Sequence, residues 1–288
     1  MINMTVAEEA KEHVSGLTFN KFDARKVLNE TRNFSMVITA KRRSGKSVFM
    51  KDICSQIKSW YNHVFVFSMT AEAQPDLFDY VPKDNVINSF DEAKLLKIWE
   101  SQVREITRLM KTKTDPKKYP KILIIFDDII SDPKVRKSEM LKKLFVMGRH
   151  YHFAFIFISQ GFKEIPPIMR KNVDVAVAFY LESIDDREDF VDAYLTTRNK
   201  QTGIQIFDRI TEEPYQSIVI LNMGTIKDPE QYVNTYIATL KVPKFKMGIH
   251  GPERDILLHN KARDMNVTLM PRIKKERQPS TRSVLISQ

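Results

Sequence analysis

The sequence predicts an α/β protein built on a mainly parallel sheet flanked by helices. Three observations predict it. Short apolar, β-branched and aromatic runs recur along the 288 residues, and they are continuous rather than alternating, as strands covered on both faces are. Amphipathic stretches of helical length separate these runs, the order expected of parallel strands joined by crossover helices. The first clear run opens through a glycine-lysine-serine loop into a helix, the context that a phosphate-binding loop requires.

Residues 1–32 read as a polar helix and a connector. Phe34–Thr39 is the first strand and Ser47–Trp60 the helix after the loop. Val64–Ser68 is a second apolar run, followed by an amphipathic helix over Asp91–Met110. "KILIIFDDII" holds a strand at Ile122–Phe126, followed by a helix at Lys134–Gly148. Phe153–Ile158 and Val173–Phe179 are further strands with a short helix, Ile165–Lys171, between them. A helix over Asp185–Thr197 and a strand over Ser217–Leu221 complete the pattern. After about residue 225 it loosens, and "QYVNTYIATL" is expected to add one edge strand. From Lys261 onward seven basic residues face two acidic ones with little apolar periodicity, the composition of a flexible basic tail. The division is then an N-terminal helix and connector (1–32), a core (33–225), an extension of the core (226–260) and the tail (261–288).

Composition narrows the class. Hydrophobic residues make up 42% and charged residues 28%, enough for a real core, and only 8 glycines and 13 prolines argue against low complexity. Lys and Arg number 46 against 36 Asp and Glu, a net charge of +10 that favours an anionic partner, nucleic acid first. Cys54 is the only cysteine, so no intrachain disulfide forms, which suits a reducing compartment. Six scattered histidines offer no convincing zinc set. The polar start shows no apolar signal region. The runs "ILIIF" and "FAFIFI" are far shorter than the roughly 18 residues of a membrane span. The expectation is a soluble intracellular protein.

Four groups carry chemistry. In "ITAKRRSGKSV" the loop Ala40, Lys41, Arg42, Arg43, Ser44, Gly45, Lys46, Ser47 and Val48 would cradle phosphates with backbone N–H groups at a helix N-terminus. Lys46 would reach the β- and γ-phosphates, and the Ser47 hydroxyl would ligate Mg²⁺. Ala40 stands where the GxxxxGK[ST] pattern has its first glycine, which is tolerable at negative φ. Second, a buried strand ends in Asp127 and Asp128, the first placed for the metal shell and the second for the attacking water. Third, "FIFISQ" ends in Gln160, a candidate γ-phosphate sensor. Fourth, Arg149 and Arg170 flank that strand, and either could be an arginine supplied to a neighbouring subunit's γ-phosphate. Each group has a plain alternative: a chance basic loop, a surface turn, a strand-end cap and salt-bridged arginines.

Taken in order, "ITAKRRSGKS", "ILIIFDD", "GRHYHF", "FIFISQ" and "PPIMRKN" resemble the FtsK/HerA superfamily, and within it the poxvirus-type genome-packaging ATPases of nucleocytoplasmic large DNA viruses. The resemblance covers roughly residues 30–225. It implies a RecA-like (ASCE) P-loop NTPase core with central strand order 5-1-4-3-2. It also implies ATP and Mg²⁺ as ligands, and a pentameric or hexameric ring that pulls double-stranded DNA through its pore. By the same resemblance Lys46 and Ser47 bind phosphate and metal, Asp127 holds the metal, Asp128 acts on water, Gln160 senses the γ-phosphate and Arg149 is the finger acting in trans. Host cytoplasm at virus assembly sites, the virion, and capsid or internal-membrane partners follow from it too. Lys41, Arg42, Arg43, the segment Lys111–Pro120 and the tail are candidate sources of DNA-facing charge. The alternatives are a cellular or plasmid DNA pump or helicase, a small-molecule kinase, and a scaffold that no longer turns over nucleotide.

Overall fold

The chain enters through two strands, β1 (Lys11–Val14) and β2 (Leu17–Lys21), and a helix, α1 (Ala24–Thr31). Strand β3 (Ser35–Thr39) leads into α2 (Lys46–Ile57), and β4 (His63–Ser68) and the short β5 (Val86–Ile87) follow. Helix α3 (Glu92–Lys111) crosses to β6 (Ile122–Asp127), and α4 (Pro133–Lys137) and α5 (Glu139–Met147) return to β7 (Phe153–Ser159). Helix α6 (Pro167–Lys171), β8 (Val175–Ala178), α7 (Ile184–Tyr194), α8 (Lys200–Thr211), β9 (Gln216–Leu221), α9 (Pro229–Tyr232) and β10 (Val233–Ile237) complete the order. The structure, a computed structural model, describes residues 11–14, 17–31, 33–129, 132–197, 199–223 and 228–248.

The strands form one sheet in the order β1-β2-β10-β9-β8-β3-β7-β6-β4-β5. From β8 to β5 every neighbouring pair is parallel. Beyond β8 the direction alternates through β9 and β10, then β2 runs parallel to β10 and β1 turns back on β2. Residues 35–39, 63–68, 122–127 and 153–159 are buried throughout, which is why their sequences lack alternation. Successive side chains serve opposite faces. Met36, Ile38, Val64, Val66, Leu123 and Ile125 pack with Ile53 and Ile57 of α2 and Leu28 of α1. On the other face Phe145 of α5 packs on Phe155 with the rings tilted and their centroids 4.2 Å apart, and Trp99 of α3 lies parallel to Phe153 at 5.4 Å.

The register matters most for function. Thr39 pairs with Ser159, Asp127 with Ile158 and Ser68 with Asp127. Four central strands therefore end on one level, and the loops after them open on the same edge. In parallel sheets that carboxyl edge is where ligands bind.

Several expectations change. Residues expected as a polar N-terminal helix supply β1 and β2 before α1 begins. The segment "QYVNTYIATL" provides β10, which lies between β9 and β2 rather than at an edge. The expected helix over 134–148 breaks at Ser138, whose backbone is extended and whose hydroxyl caps α5 by accepting from the Leu141 N–H. Helix α8 was not expected, because "KQTGIQIFDRIT" carries a glycine and several β-branched residues. Its Gly203 meets α7 so closely that an added Cβ would lie 2.6 Å from Val191 Cγ1. Burial of Ile206, Phe207 and Ile210 overrides the poor propensity. The tail, 261–288, lies outside the described residues.

Candidate active site

The loop begins where β3 still follows the sheet. Ala40 donates its N–H to the Ser159 carbonyl at 3.0 Å and is fully buried. It is absent from the positive-φ residues, which in this loop are Arg43 (63°) and Gly45 (98°). The position read as a missing glycine therefore belongs to the strand end, where a Cβ is at home in the core. Gly45 is the glycine the backbone needs, and an added Cβ there would also meet Tyr215 Cδ1 at 3.1 Å. Ala40→Gly is expected to lower stability by about 0.5–1 kcal/mol and leave ADP affinity unchanged. Denaturant unfolding and calorimetric titration check this, and a rise in affinity would contradict it.

Gly45 is the N-cap of α2 and the next residue, Lys46, opens the helix. Its first N–H groups therefore face outward with the positive end of the helix dipole. They open into a cavity of about 900 Å³ that Arg42, Arg43, Gly45, Lys46, Ser47 and Val48 line together with Asp127, Asp128 and Gln160. Lys46 Nζ donates to Asp128 Oδ2 at 2.5 Å, and both side chains are 14% exposed. Gln160 Nε2 donates to the same oxygen at 3.2 Å. Asp128 takes φ 50°, a left-handed turn just past β6 that Asp tolerates better than most residues. Lys46 and Gln160, from distant stretches of sequence, thus meet at the Asp128 carboxylate.

Asp127 is buried beside them. The Ser68 and Thr70 hydroxyls donate to its Oδ2 at 2.8 and 3.1 Å. Burial raises its pKa above the ordinary carboxylate value, against the lowering effect of the Ser68 hydrogen bond; the neighbouring Asp128 adds to the rise. Because the folded pKa lies above the unfolded one, the folded chain binds more protons between the two values. Stability is therefore lost as pH rises through that window. Asp127→Asn is expected to raise the thermal midpoint of the nucleotide-free protein at neutral pH, by a gap that narrows as pH falls to the ordinary carboxylate range. Melting curves across pH check this, and a gap that widens toward acid would contradict it.

The sequence did not single out Met69, Thr70, Gln74, Leu77, Glu164 or Tyr215 among the cavity's residues, nor the buried Ser68 that bonds Asp127. Two polar residues at the end of the strand beside the acid strand were the available signal for Ser68 and Thr70. Glu164 lines the cavity and accepts from Ser159 Oγ at 2.9 Å. Lys41 and Ser44 lie on the outer side of the loop, where they line a second hollow. Arg149 is not brought to the cavity. It sits in the 3₁₀ turn Gly148–Tyr151, before β7, at the opposite edge of the sheet. The length of β7 separates it from Gln160, roughly 20 Å at about 3.3 Å per residue. Its guanidinium is exposed and has no hydrogen-bond or ion-pair partner among the described residues. Arg170 instead stacks over the Phe162 ring at 4.9 Å.

A phosphate loop between strand and helix, with an acid strand and a glutamine strand ending beside it, is the arrangement of a P-loop NTPase fold. The chain belongs to the Poxvirus A32 protein family, whose profile matches residues 19–247. It is 27% identical over 176 residues to the DNA packaging protein OPG160 of Variola virus, across 60% of this chain and 63% of that one. It thus spans less than two thirds of the length of the curated relative. Among solved structures it resembles B204, the DNA-packaging ATPase from Sulfolobus Turreted Icosahedral Virus, with a TM-score of 0.51 and 15% identity, over 73% of this chain and 99% of that one. The pCW3 conjugation coupling protein TcpA, in its monomer form with ATPgS, matches with a TM-score of 0.53 and 13% identity, over 72% and 60%. At these identities the structural likenesses speak for the fold.

Proposed function

We propose that this protein is an ATP-driven translocase that moves double-stranded DNA into a viral capsid. The observation that carries the reading is the convergence of Lys46, Asp128 and Gln160 on one point of a cavity floored by the N-terminus of α2. The DNA-packaging name of the Variola virus relative and the net charge of +10 support DNA as the polymer moved.

In this reading the N–H groups of α2 and the Lys46 ammonium take the phosphates. Lys46 then exchanges its contact with Asp128 for phosphate oxygen, which frees that carboxylate to accept a proton from the attacking water. Gln160, already bonded to Asp128, holds the water between them. Ser47 and Asp127 present hard oxygen donors to the same cavity, the type that Mg²⁺ prefers, so the residues fit the metal. When bound, Mg²⁺ would neutralise charge on the phosphates. Asp127 must be ionised to hold it, and the Ser68 and Thr70 hydroxyls orient the carboxylate for that role. Arg149, exposed at the far edge, serves the site of the next subunit in a pentameric or hexameric ring.

No helix among the described residues is long and apolar enough to cross a membrane. Location at cytoplasmic assembly sites and capsid or internal-membrane partners are part of the proposal. Steady-state hydrolysis with and without Mg²⁺ and double-stranded DNA tests it. Stimulation by DNA is the expected result. Mg²⁺-dependent turnover indifferent to DNA would point to a kinase-like enzyme, and no turnover to a scaffold.

A further inference from the structure

Past the loop from the phosphate cavity lies a second hollow of about 810 Å³. The outer side of residues 41–44 forms one wall, Phe179 and Tyr180 at the end of β8 a second, and the turn from α8 into β9 a third. Tyr215 stands on that turn and lines both spaces, as do Arg42 and Arg43. Its ring lies against Gly45, so this one tyrosine borders both spaces.

Two features of this tyrosine are unexplained by packing. It is 63% exposed, and Tyr180 across the hollow is 48% exposed, in a protein that buries most of its aromatic side chains. It also holds φ 66°, a conformation that bulky residues rarely adopt. Strain of this kind persists where surrounding structure imposes it, and it clusters at ligand sites. The size and aromatic lining of the hollow match those of small-molecule pockets.

The direction of a bound nucleotide follows from the residues. Phosphates on Gly45, Lys46 and Ser47 leave two ways out of the loop. Asp128 and Gln160 occupy the first, so the reacting phosphate points there. The remainder of the molecule must leave the other way, past Tyr215. We propose that the second hollow receives the nucleobase and ribose, with the base stacked on the Tyr215 ring and Tyr180 closing the far side. This rests on the nucleotide reading above. The carboxylate at Glu213 only accepts hydrogen bonds and has no side-chain partner among the described residues. It is placed for the exocyclic amine of a purine. The basic residues Lys41, Arg42 and Arg43 then border the base and sugar as well as the phosphates.

Calorimetric titration of the full chain with ADP and with inorganic pyrophosphate, which lacks base and sugar, tests this. The wild type is expected to bind ADP more tightly than pyrophosphate. Tyr215→Ala should weaken ADP by about tenfold to a hundredfold, the range of one aromatic-base stack, and weaken pyrophosphate far less. Tyr215→Phe should retain ADP affinity. Tyr180→Ala should shift ADP alone and in the same direction, and it keeps the test available if Tyr215→Ala does not fold. Equal losses for both ligands would overturn the proposal and make Tyr215 a prop for Gly45. Unchanged ADP binding in folded Tyr215→Ala would also overturn it. Equal wild-type affinity for the two ligands would remove the base pocket while leaving the phosphate site standing. Binding of neither would remove the nucleotide reading itself.

Discussion

Arg149→Ala is expected to lower DNA-stimulated ATP turnover by about 10³- to 10⁵-fold, the effect of withdrawing an arginine finger, while leaving nucleotide affinity and folding intact. The geometry makes the expectation specific. Arg149 lies at the edge of the sheet opposite the phosphate loop, exposed, before β7 begins. It cannot reach the cavity of its own chain, so any catalytic effect must pass between subunits. Mixing the variant into wild-type protein therefore separates the cases. A finger acting in trans poisons wild-type neighbours, so activity falls faster than the wild-type fraction. A linear fall would assign Arg149 a role within its own subunit and remove it from the proposed mechanism. Arg170 provides the contrast. Its guanidinium is committed to the Phe162 ring and its carbonyl to the Tyr194 hydroxyl, so Arg170→Ala should act mainly on stability.

The second large effect concerns the Lys46–Asp128 pair. Both side chains are mostly shielded from water, and removing one partner leaves an uncompensated charge beside Asp127. Lys46→Met is expected to abolish hydrolysis and to lower stability by about 3–5 kcal/mol, a fall in Tm on the order of 10 °C. The double variant Lys46→Met/Asp128→Asn removes both charges together. It should recover most of the stability and none of the turnover. A thermal and kinetic double-mutant cycle isolates the coupling. Additive stability losses would show that the pair is not formed in solution. Recovery of turnover in the double variant would remove Lys46 from the chemistry.

The cycle also bears on the proposed role of Asp128. Lys46 cannot serve Asp128 and a phosphate equally, so in the proposed mechanism the nucleotide-free contact holds that carboxylate in reserve. Asp128→Asn should therefore bind nucleotide at least as tightly as wild type while turning over slowly, by about 10²- to 10⁴-fold.

By itself the sequence determined the α/β class, the strands of the parallel block except the short β5, and the identity of most groups around the cavity at the N-terminus of α2. Those features are local. A strand buried on both faces is apolar throughout, and a loop that leads into a helix carries its glycine, lysine and serine in sequence. Acid and amide groups at strand ends are likewise visible one strand at a time. What depends on distant contacts was not visible. The helical reading of the N-terminus gave way to strands because β2 finds a partner in β10, more than two hundred residues away. Helix α8 forms despite Gly203 because α7 needs that close approach. Ala40 could be judged only from its backbone, since a sequence pattern does not record φ. The Lys46–Asp128 contact, the hydroxyls that hold Asp127 and the place of Tyr215 between two hollows all arise from strand register and from the turn that enters β9. Only tertiary structure decided them, because each joins residues whose spacing along the chain says nothing of their distance in space.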